Sequence, residues 1–490
     1  STIKKGERLI LCAAADTSLF RKYGSTISLK TFPALSDDGK AICLYDSMGV
    51  LIQGVSYSPE WIAESLKRDG GWSLEMIDTD YPFYGFENWS ASKSPEGGTP
   101  GKINSVSRVN DDSYFQGVVN VYAIDSKTLS VKFSEPVLSL SRHNEEITIE
   151  GETVQSITSS DILCREFLVS SAATMERGKQ YTLEISAEVT DFAGNQAVKR
   201  TFVFGLAEKA ENRDLMFNEL LFDPLPGEAD YVEFYNNSSK VLDASRLLLV
   251  NVSDQAADTS SAYFIADEPY CILPGSYYAI TTGMSQTILR YPNGNPANIH
   301  QVKALPSMPD DKGHLILYNR ELEKIDEVFY DEKMHFSLLA GNEGVSLEKL
   351  NVSMESGSAS GWHSAAGSSG WGTPGEVNSV YSEVPKDGEE VTFSSARITP
   401  DSDGNEDFLT IGLNLEGAGN VISIMIFDEA GNLVRKLATN LLVEPGATLL
   451  WDGTSGDGSM LRSGIYVVLV TGYNEVGKVV KRKRVCAVIR

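Results

Sequence analysis

Histidine and cysteine are scarce in this chain, with five of each among 490 residues. The histidines (His143, His300, His314, His335, His363) form no His-Glu-x-x-His pair and stand beside no nucleophile motif. Gly-x-Ser-x-Gly, a phosphate-cradling loop and a dinucleotide fingerprint are also absent. The sequence therefore names no catalytic residue and no cofactor-binding residue, and the expectation is a protein that is not an enzyme. Cys12, Cys43, Cys164, Cys271 and Cys486 are scattered singly, without Cys-x-x-Cys, and most lie in apolar strand-like runs. They read as small buried hydrophobes rather than a disulfide or metal framework. No apolar run approaches the ~20 residues of a membrane span. Ser1-Thr2-Ile3-Lys4-Lys5 lacks the apolar core of a signal peptide, and the chain reads as beginning inside a domain. Positive charge is short as well: 42 Lys and Arg against 67 Asp and Glu leave −25. That balance disfavours a nucleic-acid partner and suits a soluble, self-repelling surface protein.

What is present is a long internal repeat. Pro100-Gly101-Lys102-Ile103-Asn104-Ser105-Val106 returns as Pro374-Gly375-Glu376-Val377-Asn378-Ser379-Val380, each preceded by Gly-Thr. Upstream, Leu74-Glu75 faces Leu347-Glu348, Trp89 faces Trp362, and Pro33 faces Pro306. From Pro33 to Trp89 the offset stays at 273 (306 minus 33, 362 minus 89). One module is used twice. The second copy extends well upstream of Gly275, which faces Gly6, so the first copy reads as lacking its opening strands.

The chain is too long for one core and suits about three to five domains. Four segments follow from the strand and turn pattern: 1–108, the partial copy; 109–207; 213–381, the complete copy; and 390–490. Short alternating runs such as Leu129-Ser130-Val131-Lys132-Phe133, punctuated by Gly, Pro and Asp, predict antiparallel sandwiches throughout. The expected fold class is all-β, with tandem Ig-like β-sandwich domains. A helical turn or two is expected over Ser58–Leu66, capped by Ser58 with Pro59 at the first helical position.

Three segments carry family resemblances. Phe133-Ser134-Glu135-Pro136-Val137, followed by Tyr181-Thr182-Leu183 and Asp191-Phe192-Ala193-Gly194-Asn195, resembles the bacterial Ig-like domains of surface and S-layer-type proteins. Asn218-Glu219-Leu220, Asp230-Tyr231-Val232-Glu233-Phe234-Tyr235-Asn236 and the late Gly-Thr-Pro-Gly resemble the lamin tail domain, an Ig-type sandwich. Arg246-Leu247 departs from that family's usual Gly-Trp and leaves the subtype open. Ile398-Thr399-Pro400-Asp401 through Phe408, Trp451-Asp452-Gly453 and Ser463-Gly464-Ile465-Tyr466 resemble the flagellar-hook-cap type Ig-like domain and the gliding-motility-associated C-terminal domains of Bacteroidota. The last resemblance implies type IX secretion and surface attachment. Lys478 to Val485 then reads as a final strand with one charged face, as a sorting signal, or as both.

Asp401-x-Asp403-x-Asn405-x-Asp407 is the sharpest local pattern. Four oxygen donors at alternate positions around Gly404 suit a hard cation such as Ca²⁺, and the alternative is a polar β-turn. It is no EF-hand, since Gly412 stands where a bidentate Glu belongs. Asp37-Asp38 and Asp310-Asp311 read as hairpin turns ahead of paired-carboxylate chemistry. Glu219, Glu233 and Asp230 are candidates to approach one another, with a fold-holding role favoured over ligand binding. Trp89 and Trp362 read as core residues ahead of sugar platforms.

The expected function is a non-catalytic, exported cell-surface or outer-membrane-associated scaffold or adhesion protein of a Gram-negative bacterium. Its expected partners are other surface proteins, with glycans as a second class. The alternatives are a carbohydrate-binding protein, discriminated by exposure of Trp89, Trp362 or Trp371, and an accessory region of a larger secreted hydrolase or nuclease.

Overall fold

The computed structural model describes residues 3–49, 51–81, 85–137, 140, 144–252, 262–336, 339, 341–381, 390–415, 420–443, 446–473 and 477–490. Two compact units divide it, one up to Leu206 and one from Ala207. Both are all-β, built of Ig-like sandwiches.

In the first unit, the repeat's first copy forms three strand pairs. Ile10–Ala13 lies parallel to Thr26–Leu29 across a short helix, Thr17–Phe20. Lys40–Tyr45 and Leu51–Tyr57 make a hairpin, and Leu74–Met76 pairs with Trp89–Ala91. The expected helix over 58–66 is split: Ser58 caps a 3₁₀ turn, Pro59–Trp61, and an α turn follows at Ser65–Arg68. Extended backbone at Ile62 and Glu64 separates the two.

The remainder of that unit is a sandwich of a five-stranded and a four-stranded sheet. Thr128–Phe133 alternates half-buried and buried residues, as a strand with one face on a core must. Phe115, Phe133, Phe167 and Phe204 fill the space between the sheets, and Phe133 meets Phe167 edge-on at 5.8 Å. Each such side chain contributes about 1.5–3 kcal/mol on burial.

In the second unit, the repeat's second copy reproduces all three pairs: Tyr277–Thr281 parallel to Ile299–Gln301, Lys312–Asn319 with Lys324–Asp331, and Leu347–Lys349 with Trp362–Ser364. Registers coincide at the 273 offset (315 minus 42). Ile42 pairs with Val55 as Leu315 pairs with Val328, and Met76 with Trp89 as Lys349 with Trp362. The Tyr57 hydroxyl donates to the Ser36 carbonyl at 2.9 Å, and the Tyr330 hydroxyl to that of Pro309 at 3.1 Å. This copy adds Leu215–Leu221 and Tyr231–Asn236 at the centre of a six-stranded sheet, and Leu247–Asn251 inside a four-stranded one. The core between them is continuous from Leu215 to Trp362.

Residues 390–490 form a five-stranded sheet over a three-stranded one. Asn420–Phe427 alternates strictly, buried and half-buried. Trp451 is fully buried at the centre, its indole N–H donating to the Thr454 carbonyl at 3.0 Å. The basic C-terminal segment is a strand, Val479–Val488, antiparallel to Gly464–Tyr473 over ten residue pairs. One charged face was expected, but Lys481 through Val485 are exposed on both faces between buried Val480 and Cys486. Five consecutive exposed residues mean that the sandwich covers only the strand's ends.

Candidate functional site

Three glutamates stand side by side on three neighbouring strands of the second copy. Glu233 is directly opposite Glu219, and Glu219 directly opposite Glu348. Residues paired across a sheet project to the same face, so the three carboxyls form a row. All three are 0% exposed. Glu219 Oε1 accepts from the Tyr231 hydroxyl at 2.6 Å, the Ser346 hydroxyl at 2.5 Å and the Thr373 amide at 2.9 Å. Glu219 Oε2 is buried without a partner. Glu233 accepts from the Asn218 side chain at 2.6 Å and from the Gly375 amide. Glu348 accepts from the Thr373 hydroxyl at 2.9 Å, the Ser379 hydroxyl at 2.7 Å and the Val380 amide at 3.0 Å.

The electrostatics follow from burial. Loss of water raises the pKa of all three carboxyls, and the charge of Glu219 pushes Glu233 and Glu348 further. Glu348 reaches about 8. Glu348 therefore holds a proton at neutral pH. Sealed from solvent, with all its donors drawn from its own module, the row offers no access to a substrate.

The repeated Gly-Thr-Pro-Gly-x-x-Asn-Ser motif is the other half of this arrangement. Its Thr and Ser close on the strand glutamate, and the Asn378 side chain donates to the Lys349 carbonyl at 2.8 Å. The first copy repeats the closure. Glu75 accepts from the Thr99 hydroxyl at 2.6 Å and from the Ser105 amide and hydroxyl at 2.7 Å, and Asn104 donates to the Met76 carbonyl at 2.9 Å. Burial pushes Glu75 up, but hydrogen bonds from Thr99, Ser105 and Ser92 outweigh it and leave its pKa lowered. The motif recurs because it ties a terminal loop to a central strand. Gly101 and Gly375 sit in the left-handed region, where an added Cβ would come 2.6 Å from the carbonyls of Tyr23 and Asn295.

Asp230 does not join the row. Burial raises its pKa to about 7, and the neighbouring charges are those of Asp310 and Asp223. Asp310 and Asp311 stand at a bend just before Lys312–Asn319, and the charge of Asp310 bears on Asp230. At the other pair, the Gly39 amide donates to the Ser36 carbonyl at 3.2 Å, which is a plain turn. Trp362 is 3% exposed, with its indole N–H given to the Ser356 carbonyl at 2.8 Å, so it presents no face to a sugar. Trp89 and Trp371 are half-buried. All five cysteines are free thiols. His300 and His335 are held neutral by burial, at about 3 and about 4; His143 lies outside the described residues.

The 401–407 loop is closed by Asp407, 9% exposed, whose carboxylate accepts from the amides of Asp401 (3.1 Å), Ser402 (2.6 Å) and Gly404 (2.8 Å). Asp403 accepts from the Asn405 amide at 2.7 Å, and the Asn405 carbonyl accepts from the Thr399 hydroxyl at 3.0 Å. These bonds make a side-chain-stabilised turn. One oxygen each of Asp401, Asp403 and Asp407 nevertheless converges within 4.8 Å. A second group with this spacing, Asp112, Glu135 and Asp191, was not singled out from the sequence. Glu135 and Asp191 belong to the two motifs that carry the bacterial Ig-like resemblance, and the fold brings them to each other and to Asp112.

The fold and these sites define a chain of Ig-like sandwiches. In particular, residues 116–205 match the family model of the bacterial Ig-like domain, and residues 395–476 that of the FlgD Ig-like domain. No curated protein matches the chain. Among solved structures, CopC from Methylosinus trichosporium OB3b is similar at 24% identity, covering 19% of this chain and 84% of that one, TM-score 0.14. The N-terminal part of the bacterial S-layer protein SbsC is 17% identical over 44% of this chain and 43% of its own, TM-score 0.18. PorZ, a surface component of the type-IX secretion system of Porphyromonas gingivalis, is 13% identical over 92% of this chain and 56% of its own, TM-score 0.16. The chain thus spans less than two thirds of the latter two. At these TM-scores the likenesses add nothing to the reading of this chain's function. Among the described residues, no helix is long and apolar enough to cross a membrane, which says nothing of strands.

Proposed function

We propose that this chain is a non-catalytic, exported scaffold of a bacterial cell surface, acting through protein contacts of its tandem sandwiches. The observation that carries this reading is the burial of the repeated polar residues. Glu348 and Glu75, with the Thr and Ser that close on them, hold strands to loops instead of facing a cleft. What remains for partners is sandwich surface: end loops and strand edges. The two Ig-like family matches and the net charge of −25 support an extracellular role of this kind.

Within that reading, the repeated modules are lamin-tail-type sandwiches, on the Asn218-Glu219 and Asp230-Tyr231-Val232-Glu233 patterns. The C-terminal domain serves type IX export and surface attachment in a Bacteroidota-type cell. The convergence of Asp401, Asp403 and Asp407 supports a Ca²⁺ ion that stiffens the loop entering this domain.

The test is protease shaving of intact cells of the bacterium that makes the protein, with fractionation. Peptides of this chain released from intact cells support the reading. Recovery of the chain only from the cytoplasmic fraction overturns it.

A further inference from the structure

Lys349, Ser356 and Asp326 lie inside the second copy, each 9% exposed or less. Lys349 ends Leu347–Lys349 in the six-stranded sheet, and Asp326 stands in Lys324–Asp331 of the four-stranded one, so the pair spans the sandwich. Ser356 stands between them. The Lys349 Nζ donates to the Ser356 Oγ at 3.0 Å, and that hydroxyl donates to Asp326 Oδ2 at 2.5 Å. The Phe217 amide donates to the same carboxyl oxygen at 2.8 Å.

An amine and an acid are costly inside a core, because each loses its water when charged. The repeated frame does not require them. At the 273 offset (349 minus 76, 326 minus 53) their places are held by Met76 and Gln53. The registers are the same: Lys349 pairs with Trp362 as Met76 with Trp89, and Asp326 with Leu317 as Gln53 with Leu44. The amine and the acid are thus present together in one copy and both missing from the other.

Together the two groups can react. An uncharged lysine amine is a nucleophile, and a protonated carboxyl can give up its hydroxyl as water. Burial favours both uncharged forms, lowering Lys349 to about 8 and raising Asp326. The Ser356 hydroxyl accepts from Nζ while it donates to Oδ2, which is the path a proton would take from amine to acid. A core that holds the two groups together and keeps water out favours condensation over its reverse.

We propose that Lys349 and Asp326 condense into an internal isopeptide bond that staples the two sheets of the second copy. The ammonium of Lys349 passes one proton through Ser356 to Asp326 Oδ2. The Ser356 side chain then turns aside, and the neutral Nζ attacks Asp326 Cγ. The Cγ–Oδ2 bond breaks, a second Nζ proton leaves with that oxygen, and one water is released. An amide C–N bond replaces the C–O bond, and no oxidant or co-reactant is needed. The inference does not rest on the surface role.

The test is the mass of the whole denatured chain, followed by proteolysis and fragmentation of the peptides that contain residues 326 and 349. The parent is expected to weigh one water less than its sequence requires and to yield a branched peptide joining the two residues. The double variant Lys349→Met with Asp326→Gln carries the residues of the first copy and is expected to show its full mass. A parent at full mass overturns the proposal. So does a lost water that maps to another site or persists in the double variant, which would mark dehydration elsewhere, such as an aspartyl imide. Because the readout is the covalent structure of the parent itself, a variant that misfolds cannot imitate a negative result.

Discussion

Glu75 and Glu348 are counterparts 273 positions apart (348 minus 75), both closed upon by a threonine hydroxyl and a serine hydroxyl, yet shifted in opposite directions from an ordinary glutamate. The donors are alike, so the neighbours make the difference. Glu348 lies in register with Glu219, whose charge and the full burial of the site favour its protonated form. Among the described residues, Glu75 has no such neighbour strand, and its hydrogen bonds win.

This row makes the second module acid-stable. A carboxyl with a folded pKa of about 8 and an unfolded value near ~4.3 binds more protons when folded, so it contributes stability that is complete below ~4.3 and lost as pH rises through about 8. The expected slope between those limits is up to about 1.4 kcal/mol per pH unit for each such proton. Thermal melts of the chain at pH 5, 7 and 9 check this: the unit containing residue 348 should melt progressively lower. Glu348→Gln, an isostere of the protonated acid, should melt close to parent at pH 5 and flatten the decline.

The clasp is structural in both copies. Thr373→Val removes a hydroxyl that Glu348 accepts from, and Ser105→Ala removes one from Glu75. Each leaves a buried carboxyl short of a donor, at an expected cost of about 1–3 kcal/mol in chemical denaturation. Lys102→Ala, on an exposed position of the same motif, should cost less than about 0.5 kcal/mol.

Trp362 and Trp89 should respond unequally. Trp362→Ala opens a cavity in a closed core and is expected to cost about 3–5 kcal/mol. Trp89→Ala takes away a half-buried ring bordering an open cleft and should cost clearly less in the same urea titration.

The 401–407 loop separates two roles within one peptide. Asp407→Ala deprives three amides of their acceptor and should destabilise with or without calcium, by about 1–3 kcal/mol. Asp403→Ala loses the exposed bond from the Asn405 amide and should cost less than Asp407→Ala in EDTA, about 0.5 kcal/mol. With millimolar Ca²⁺, the parent's C-terminal melting step should rise by mass action and that of Asp403→Ala should not. Superimposed parent curves with and without calcium would reduce the loop to a turn.

Much of the architecture was legible from pattern. Alternation marks strands such as Thr128–Phe133, and the offset of 273 from Pro33 to Trp89 fixes equivalent positions there without any structure. The Gly-Thr-Pro-Gly-x-x-Asn-Ser motif was visible as recurrence, but its purpose was not, because Thr373 meets Glu219 across 154 residues. The sequence offers Glu219, Glu233 and Asp230 as candidates to approach one another; register aligns Glu219 with Glu233 and with Glu348, and leaves Asp230 out. Propensity over-extended the helix at 58–66, where extended backbone at Ile62 and Glu64 interrupts it. Asp112, Glu135 and Asp191 illustrate the opposite limit, since Glu135 and Asp191 stand in motifs 56 residues apart (191 minus 135) and only the fold brings their carboxylates and that of Asp112 together.

The central claim is that the acidic residues of the repeat are sealed, fold-holding groups rather than an acid–base site. Carbon-13 titration of the glutamate side-chain carboxyls tests it most directly, with Glu75→Gln and Glu348→Gln to assign the two resonances. The account predicts that Glu348 titrates near pH 8 and Glu75 below the ordinary glutamate value. Both resonances titrating together near ~4.3, as in solvated glutamates, would contradict it.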